Sequence, residues 1–247
     1  MWTPHALASE RRPMAGEAWR VVESQSRVAT MTIVDTVAEQ SVLEAELERS
    51  KPPIPAECAA LHWLLATPFR YAPYPRGSRF RRARQREGCL YAAEAVETAV
   101  AEAAFYHLLF VLDAPGAERP RNPLERSAFS IRYGTGAGLD LTQPPLDADA
   151  PRWTDPVSYA ACQELADTAR QAEVEVLRYA SVRAPGHNLA MLSCRAFAAP
   201  GPLTLQTWHL MLRPDRVEAL CEMPQRRLTF ALANWAVSDP RVPERLL

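Results

Sequence analysis

The sequence predicts a fold of the α+β class, in which a mixed sheet is flanked by helices. Apolar stretches rich in β-branched residues, typical of strands, alternate along the chain with stretches of helical periodicity. Several predicted strands follow one another in the second half of the chain, which indicates a mixed sheet. The chain has 247 residues, of which 48% are hydrophobic, enough for a sizeable core.

Residues 1–55 are predicted to form an N-terminal extension to a main domain at 56–247. We expect residues 1–18 to be frayed and the β-branched residues that follow to form a strand. A charged helical pattern begins at about Ser41. Such a helix serves either as an assembly surface or, more ordinarily, as a solvated face.

The next segment predicts two helices separated by a turn and a strand. Residues 56–65 have the pattern of a short helix that Pro68 ends, and residues 69–75 should be extended because the chain before a proline avoids the helical region. A basic turn leads into the apolar run 89–93, which fits a short buried strand. Residues 94–112 have almost no polar face, so this helix should lie deep in the protein.

The second half of the chain predicts five strands and one helix. SAFSIRYGTG has the pattern of a strand, whereas GTGAG at 134–138 is too short and wrongly ordered for a nucleotide-binding loop and is expected to be a flexible loop. Residues 158–172 have a helical pattern. The remaining strands are expected in VEVLRYASVRAPGHNLAMLSCRAFA, which holds two around a loop, in PLTLQTWHLMLRP and in RRLTFALANW.

Charge and hydropathy exclude several classes of protein. The net charge of −1 gives no general attraction to nucleic acid or to an anionic membrane. The chain lacks an apolar run of the roughly 20 residues that cross a bilayer, and its N-terminus lacks the pattern of a secretion signal. We therefore expect a soluble, cytoplasmic protein with no membrane partner and no direct nucleic-acid binding.

The five cysteines are scattered along the chain. None belongs to a CxxC pair or has a histidine at ligand spacing. This pattern predicts reduced, buried thiols, with neither a disulfide framework nor a metal site.

Residues 67–107 contain the groups that a dinucleotide-cleaving enzyme needs. An arginine-rich turn, a tyrosine at the end of a short strand and one carboxylate within an alanine-rich helix follow in that order. Arginine binds phosphate with two parallel hydrogen bonds, and an aromatic ring offers a flat face to a heterocycle. A glutamate among apolar neighbours can stabilise a developing cation.

Three segments, FRYAPYPRGSRF, GCLYAAEAVETAVAEAAFYH and RYASVRAPGHN, resemble the RES domain family of bacterial toxins from toxin–antitoxin operons. The resemblance extends from about Thr67 to Pro214. It implies a fold similar to the ADP-ribosyltransferase toxins of the diphtheria type, and degradation of NAD+ by an NAD+ phosphorylase or NAD+ glycohydrolase activity. NAD+ is then a substrate, phosphate is a possible co-substrate, and no cofactor is expected. The family also implies a hetero-oligomer with an Xre-type helix-turn-helix antitoxin that inserts a segment into the NAD+ cleft.

Matched to the family motifs, three residues take catalytic roles. The arginine of the glycine-containing turn corresponds to Arg79, the strand-end tyrosine to Tyr91 and the helical glutamate to Glu102. The family's downstream serine and asparagine correspond to Ser181 and Asn188, which are expected to bind substrate.

Three further residues are candidates for substrate binding. Arg70 and Tyr71 begin the matched region and are expected to line the same pocket. Arg82 is a candidate because about two extra residues separate the turn from the tyrosine, so that Arg79, Arg81 and Arg82 are hard to rank. The GSRF context favours Arg79.

The chemistry itself leaves alternatives open at each position. Cleaving the nicotinamide–ribose bond develops positive charge on the sugar, which a carboxylate at Glu102 would stabilise. Nicotinamide leaves as a neutral group, so no general acid is required. The alternatives are a structural ion pair for Glu102, a solvated surface charge for Arg79, a core tyrosine for Tyr91 and a strand-end cap for Ser181.

Three functions therefore follow from the sequence. The favoured one is an NAD+-degrading toxin that uses phosphate or water as acceptor. The others are a protein ADP-ribosyltransferase with the same pocket and a non-catalytic partner-binding module of the same fold.

Overall fold

The computed structural model describes residues 2–24, 33–70, 73, 75–114 and 119–243. Within these ranges, eight strands form one sheet. Their bounds are β1 (Arg12–Glu23), β2 (Leu90–Ala93), β3 (Leu124–Asp140), β4 (Val176–Ala180), β5 (His187–Met191), β6 (Leu205–Leu212), β7 (Arg216–Cys221) and β8 (Arg226–Ala231). Their order in the sheet is β1-β2-β5-β4-β3-β6-β7-β8, with an additional pairing of β1 with β3.

The pairings of five strands close a cycle. β1 pairs with β2 through Trp19 and Ala93, and pairs with β3 from Arg12 opposite Gly138 to Glu23 opposite Arg126. β5 and β4 link β2 back to β3, and β6, β7 and β8 continue from β3 as antiparallel neighbours. The β3–β4 pairing is parallel, whereas the other pairings named here are antiparallel. The prediction of an α+β fold with a mixed sheet is therefore confirmed.

Seven α-helices accompany the sheet in the described part of the chain. They are α1 (Pro4–Ser9), α2 (Val37–Ser50), α3 (Trp63–Arg70), α4 (Val96–Leu112), α5 (Ala150–Trp153), α6 (Ala160–Gln171) and α7 (Leu232–Ser238). Short 3-10 helices are formed by Ala56–Cys58, Leu146–Asp149 and Cys194–Ala196.

Helix α4 is the deep helix that the sequence predicts. It contains neither glycine nor proline, and ten of its seventeen residues are buried. It packs against β1, β2 and β7, with Val100 and Phe105 in the same apolar cluster as Trp208 of β6. The prediction of a buried helix at 94–112 is confirmed, as are strand β2 and helix α6.

The expectation that residues 1–18 are frayed is wrong. α1 begins after Thr3, whose hydroxyl accepts a hydrogen bond from the backbone N–H of Ala6, and Leu7 is fully buried in a core cluster. β1 then pairs with β3 from Arg12 onward. The segment carries Pro13 and Gly16, so its weak local propensity is overridden by the strand pairing.

The prediction for residues 37–70 needs two corrections. α2 begins at Val37 rather than near Ser41, because Thr36 and Glu39 form a reciprocal capping box. The expected helix at 56–65 is replaced by a 3-10 turn and by α3, which continues through Pro68 to Arg70. Leu65, Ala66, Pro68 and Phe69 are all buried, and their packing outweighs the backbone hydrogen bond that the proline removes.

The glycine-rich segment 134–138 is strand rather than flexible loop. β3 runs through it to Asp140, pairing with β1 on one side and β4 on the other. A Cβ at Gly138 would collide with the side chain of Met14 on β1, so glycine here allows close approach of the two strands.

Two late elements also differ from the prediction. β7 was not predicted, although Val217, Ala219 and Cys221 are buried in strict alternation. RRLTFALANW forms β8 and then α7, since the chain turns into a helix at Leu232 that packs its Trp235 into the core.

The prediction that all five cysteines are reduced is also wrong. Cys58 and Cys194 form a disulfide with their Cα atoms 5.7 Å apart, across 136 residues of sequence. Cys89, Cys162 and Cys221 are free and buried. Sequence spacing cannot detect a pair that only the folded chain brings together.

Strand β1 belongs to the same sheet as the rest of the chain, whereas α2 buries none of its residues. The division into an extension at 1–55 and a domain at 56–247 stays a prediction. Among the described helices, none combines the length and the apolar character that crossing a bilayer requires.

Candidate active site

A cavity of about 950 Å3 opens between α4, β1 and the turn at residues 76–79. Tyr159, which precedes α6, and Arg241, which follows α7, complete its wall. Six arginines and three carboxylates line the cavity. Burial, together with the charge of Arg126, lowers the pKa of the lining His107, so this side chain adds no charge at neutral pH. The net positive charge of the lining favours an anionic ligand.

Glu102 faces this cavity from α4. Its Oε1 accepts two hydrogen bonds, one from the Ser181 hydroxyl at 2.7 Å and one from the Asn188 side-chain amide at 2.7 Å. Ser181 directly follows β4 and Asn188 lies on β5, so adjacent strands fix both donors. In the described part of the chain, the hydrogen bonds and ion pairs of Glu102 come only from these uncharged groups. A structural ion pair is therefore not what holds this carboxylate.

The turn that carries Arg79 is fixed from two sides. From β2, the Tyr91 hydroxyl accepts a hydrogen bond from the backbone N–H of Phe80 at 2.9 Å. It forms a second hydrogen bond with the Ser78 hydroxyl at 2.8 Å. From α6, the Gln163 amide donates to the Ser78 carbonyl at 3.0 Å. Burial raises the pKa of Tyr91 well above its ordinary value, so the phenol stays neutral and able to donate.

Arg79 is nearly enclosed, with 8% of its surface exposed. Its Nη1 donates to the Trp153 carbonyl at 2.8 Å and to the Asp155 carbonyl at 2.9 Å. Its guanidinium carbon lies 4.6 Å from the centre of the Tyr159 ring. This arginine is a fixed cation in the cavity wall rather than a solvated surface charge.

The structure brings together five of the eight predicted site residues. Arg79, Tyr91, Glu102 and Asn188 line the cavity, and Ser181 is hydrogen-bonded to Glu102. Arg70 and Arg82 do not line it. The Arg70 side chain pairs with Glu48 and donates to the Pro52 carbonyl, and Arg82 pairs with Asp167. Tyr71 lies outside the described residues.

Among the three arginines that the sequence could not rank, the cavity distinguishes Arg79. Arg81 donates to the Gln85 carbonyl at 2.8 Å and, like Arg82, is absent from the cavity wall.

Tyr106, Tyr159 and Arg241 are among the residues of the wall that the sequence does not identify. Tyr106 lies one turn after Glu102 on α4, and its hydroxyl is 3.1 Å from the hydroxyl of Tyr159. The i, i+4 spacing from Glu102 is a signal that could have identified Tyr106. Tyr159 and Arg241 carry no such signal, because only the packing of distant segments brings them to the cavity.

The arrangement combines a fixed guanidinium with a carboxylate in one cationic cavity. The guanidinium can bind a phosphate group, while the carboxylate can stabilise positive charge that develops on a bound molecule. The cavity of about 950 Å3 lies in the size range of pockets that bind small organic molecules.

The comparisons with known proteins identify one family. The model of the RES domain family matches residues 54–213. A solved structure described as the M. tuberculosis MbcT–MbcA toxin–antitoxin complex contains a chain with 14% sequence identity and a TM-score of 0.47, and the match covers 83% of this chain and 92% of that one. No curated protein matches the sequence significantly.

Proposed function

The chain belongs to the RES domain family, and from this premise we propose that it is a toxin that cleaves the nicotinamide–ribose bond of NAD+. The observation that carries the proposal is the convergence of Arg79 and Glu102 on one cationic cavity, with Ser181 and Asn188 orienting the carboxylate.

In the proposed reaction, Arg79 binds the diphosphate of NAD+ and the nicotinamide riboside end approaches Glu102. As the bond between ribose C1 and the nicotinamide nitrogen breaks, its electron pair leaves with nicotinamide, which departs as a neutral molecule. Positive charge then develops on the ribose, and the Glu102 carboxylate stabilises it. The Ser181 and Asn188 hydrogen bonds hold the carboxylate in a fixed orientation.

The acceptor completes the reaction at ribose C1. Water as acceptor forms a C–O bond, releases one proton to solvent and yields ADP-ribose. Phosphate as acceptor yields ADP-ribose 1″-phosphate. Tyr91 supports the reaction by holding the turn of Arg79 through Ser78 and Phe80.

A toxin of this kind requires restraint, and we include in the proposal a cognate Xre-type antitoxin that forms a hetero-oligomer with this chain. The rim of the cavity offers apolar side chains for such a contact. Phe110 is 74% exposed, and Trp63 and Tyr106 are about half exposed at the same opening.

The proposal is tested by incubating the purified chain with NAD+, with and without phosphate, and identifying the products by mass spectrometry. We expect many turnovers to ADP-ribose or its 1″-phosphate. Glu102→Gln should lower the rate about 100-fold or more, because the neutral amide cannot stabilise the developing cation. The matched control is Glu97→Gln, a change at an exposed glutamate of the same helix that pairs with Arg226 and should leave the rate unchanged.

Intact NAD+ after prolonged incubation with the folded wild-type chain would contradict the proposal. ADP-ribose attached to protein as the sole product would replace it with protein ADP-ribosylation. Equal rates for wild type and Glu102→Gln would remove Glu102 from the mechanism.

A further inference from the structure

Arg241 brings a guanidinium to the cavity from outside the family match. It follows α7 near the C-terminal end of the described chain, whereas the RES domain match ends at residue 213. Its side chain lines the cavity and is 33% exposed, so it is accessible from the interior of the cavity.

The Arg241 side chain is held in one orientation by Asp239. Its Nε donates to Asp239 Oδ1 at 3.0 Å, its Nη2 donates to Oδ2 at 2.7 Å, and Nη2 also donates to the Pro156 carbonyl at 2.8 Å. Burial alone would raise the pKa of Asp239, but the hydrogen bonds from Arg241 and the charge of Arg183 outweigh it and lower the pKa. The Asp239 carboxylate that holds Arg241 is therefore ionised at neutral pH.

Asp239 does not need Arg241 to neutralise it. Arg183 Nη1 lies 2.8 Å from Asp239 Oδ2, and neither of these two side chains is exposed to solvent. Arg183 also lies with its guanidinium carbon 3.8 Å from the centre of the Phe105 ring. The buried carboxylate has a buried cation of its own, so the three charged groups together carry a net positive charge at the cavity wall.

Arg79 and Arg241 contact neighbouring residues of one segment, since Arg79 donates to the Asp155 carbonyl at 2.9 Å and Arg241 donates to the Pro156 carbonyl at 2.8 Å. The Arg79 guanidinium stacks on the Tyr159 ring, and the charge of Arg241 acts on the hydroxyl of the same residue. Burial would raise the pKa of Tyr159, but the hydrogen bond with Tyr106 and the charges of Arg79 and Arg241 outweigh it and lower the pKa. Two cations in the wall of one cavity therefore act on the same phenol.

We propose that Arg241 is a substrate-binding residue that binds the diphosphate of the dinucleotide together with Arg79, an inference that rests on the proposed cleavage of NAD+. A diphosphate linker carries two negative charges on adjacent phosphates, and two separated guanidinium groups match it better than one. Because the diphosphate is not part of the bond that breaks, Arg241 contributes to binding rather than to the chemical step.

The first experiment measures steady-state cleavage of NAD+ and of nicotinamide mononucleotide, which has the same scissile bond but only one phosphate. For Arg241→Ala we expect KM for NAD+ to rise about 10- to 100-fold with kcat nearly unchanged. Kinetics with the mononucleotide should change little. Arg241→Lys should restore part of the loss, and Arg226→Ala, at an exposed arginine paired with Glu97, is the control that should behave as wild type.

The second experiment does not depend on catalysis. Calorimetry should show that Arg241→Ala weakens the binding of ADP about 10-fold or more, while the binding of AMP changes much less. Thermal unfolding of each variant reports whether the fold is intact, and Arg241→Lys keeps the positive charge if Arg241→Ala does not fold.

The outcomes separate this inference from the proposed function. Loss of ADP affinity in a chain that never cleaves NAD+ would support the diphosphate site while refuting the proposed reaction. Unchanged ADP affinity and unchanged KM for NAD+ in folded Arg241 variants would overturn the inference. An equal rise in KM for NAD+ and for the mononucleotide would also overturn it, because the effect would not depend on the diphosphate.

Discussion

At the scale of single residues, Tyr91 links the sheet to the turn of Arg79. Its hydroxyl is the hydrogen-bond partner of both the Phe80 N–H and the Ser78 hydroxyl. A tyrosine whose ring lies in the wall of a cavity is easily assigned to stacking on a ligand. The contacts give it a second task, which is to hold the arginine turn against β2.

Tyr91→Phe removes this hydroxyl and keeps the ring. We expect the free energy of unfolding to fall by about 1–2 kcal/mol, because the buried Phe80 N–H loses its acceptor. NAD+ cleavage should fall as well, since the turn is less firmly held. Urea unfolding and the rate assay measure the two effects. Tyr133→Phe is the control, because Tyr133 is a buried tyrosine of β3 that does not line the cavity. Equal effects of the two changes would argue against the positioning role.

The sequence could predict only those site residues that lie within short, recognisable motifs. Arg79, Tyr91 and Glu102 each lie in a short motif, and the order of those motifs led to residues that share one cavity. Arg70 and Arg82 were candidates by their proximity in sequence, but each is paired with a carboxylate outside the cavity wall. Their orientation depends on Glu48 and Asp167, which no local pattern connects to them. Arg241 was missed because its contact with the cavity depends entirely on chain folding.

At the scale of elements, the loop between β4 and β5 connects the two donors of Glu102 to α4. The Ser181 N–H donates to the Gly186 carbonyl at 3.0 Å, and the Thr98 hydroxyl of α4 donates to the Pro185 carbonyl at 2.8 Å. Thr98 lies one turn before Glu102 on the same helix. The loop therefore fixes the distance between the helix that carries the carboxylate and the strands that carry its donors.

Gly186→Ala tests this connection. Gly186 has φ +110°, which other residues rarely adopt, and a Cβ there would lie 2.6 Å from the Thr98 hydroxyl oxygen. We expect a loss of about 1–3 kcal/mol in unfolding free energy and a lower rate of NAD+ cleavage. Gly136→Ala is the matched control, since nothing lies within 4 Å of the Cβ position. Calorimetric unfolding and the rate assay measure the two effects. Stability and cleavage rate equal to wild type in both alanine variants would contradict the prediction.

The elements that the sequence predicted well were those with a strong local pattern. α4 was predicted because its apolar residues occupy nearly every face, and β4 and β5 because β-branched and apolar residues flank a Pro-Gly loop. The pattern of SAFSIRYGTG predicts the first part of β3, but not its continuation through Gly138, whose conformation comes from pairing with β1 and β4 on either side. The sequence predicts a helix that ends before Pro68, whereas α3 continues to Arg70 because the packing of Phe69 overrides the usual effect of that proline.

At the scale of the whole molecule, β1 closes the cycle of pairings formed by β1, β2, β5, β4 and β3. It also supplies Trp19, Val21 and Val22 to the cavity wall. A sheet without β1 would expose one edge of β3 along most of its length. The first strand thus contributes both to the closure of the sheet and to the candidate active site.

Deleting residues 1–24 should therefore abolish folding rather than remove a dispensable extension. We expect the truncated chain to be insoluble or unfolded by circular dichroism, because β3 loses its partner and the cavity loses a wall. The control changes the same part of the chain without touching the sheet: Val42→Glu with Leu47→Glu on α2, two exposed positions, should stay folded. A soluble, active truncated chain would instead support a separable extension at 1–55.

The disulfide between Cys58 and Cys194 divides the chain into one covalently closed segment and two tails. The closed segment runs from residue 58 to residue 194. It contains Tyr91, Glu102, Ser181 and Asn188. β1 and Arg241 lie on the two tails outside the closed segment. While the bond is intact, a single cut of the backbone inside the closed segment leaves the carboxylate and its donors covalently connected. A cut in either tail breaks the covalent connection to whatever lies beyond it.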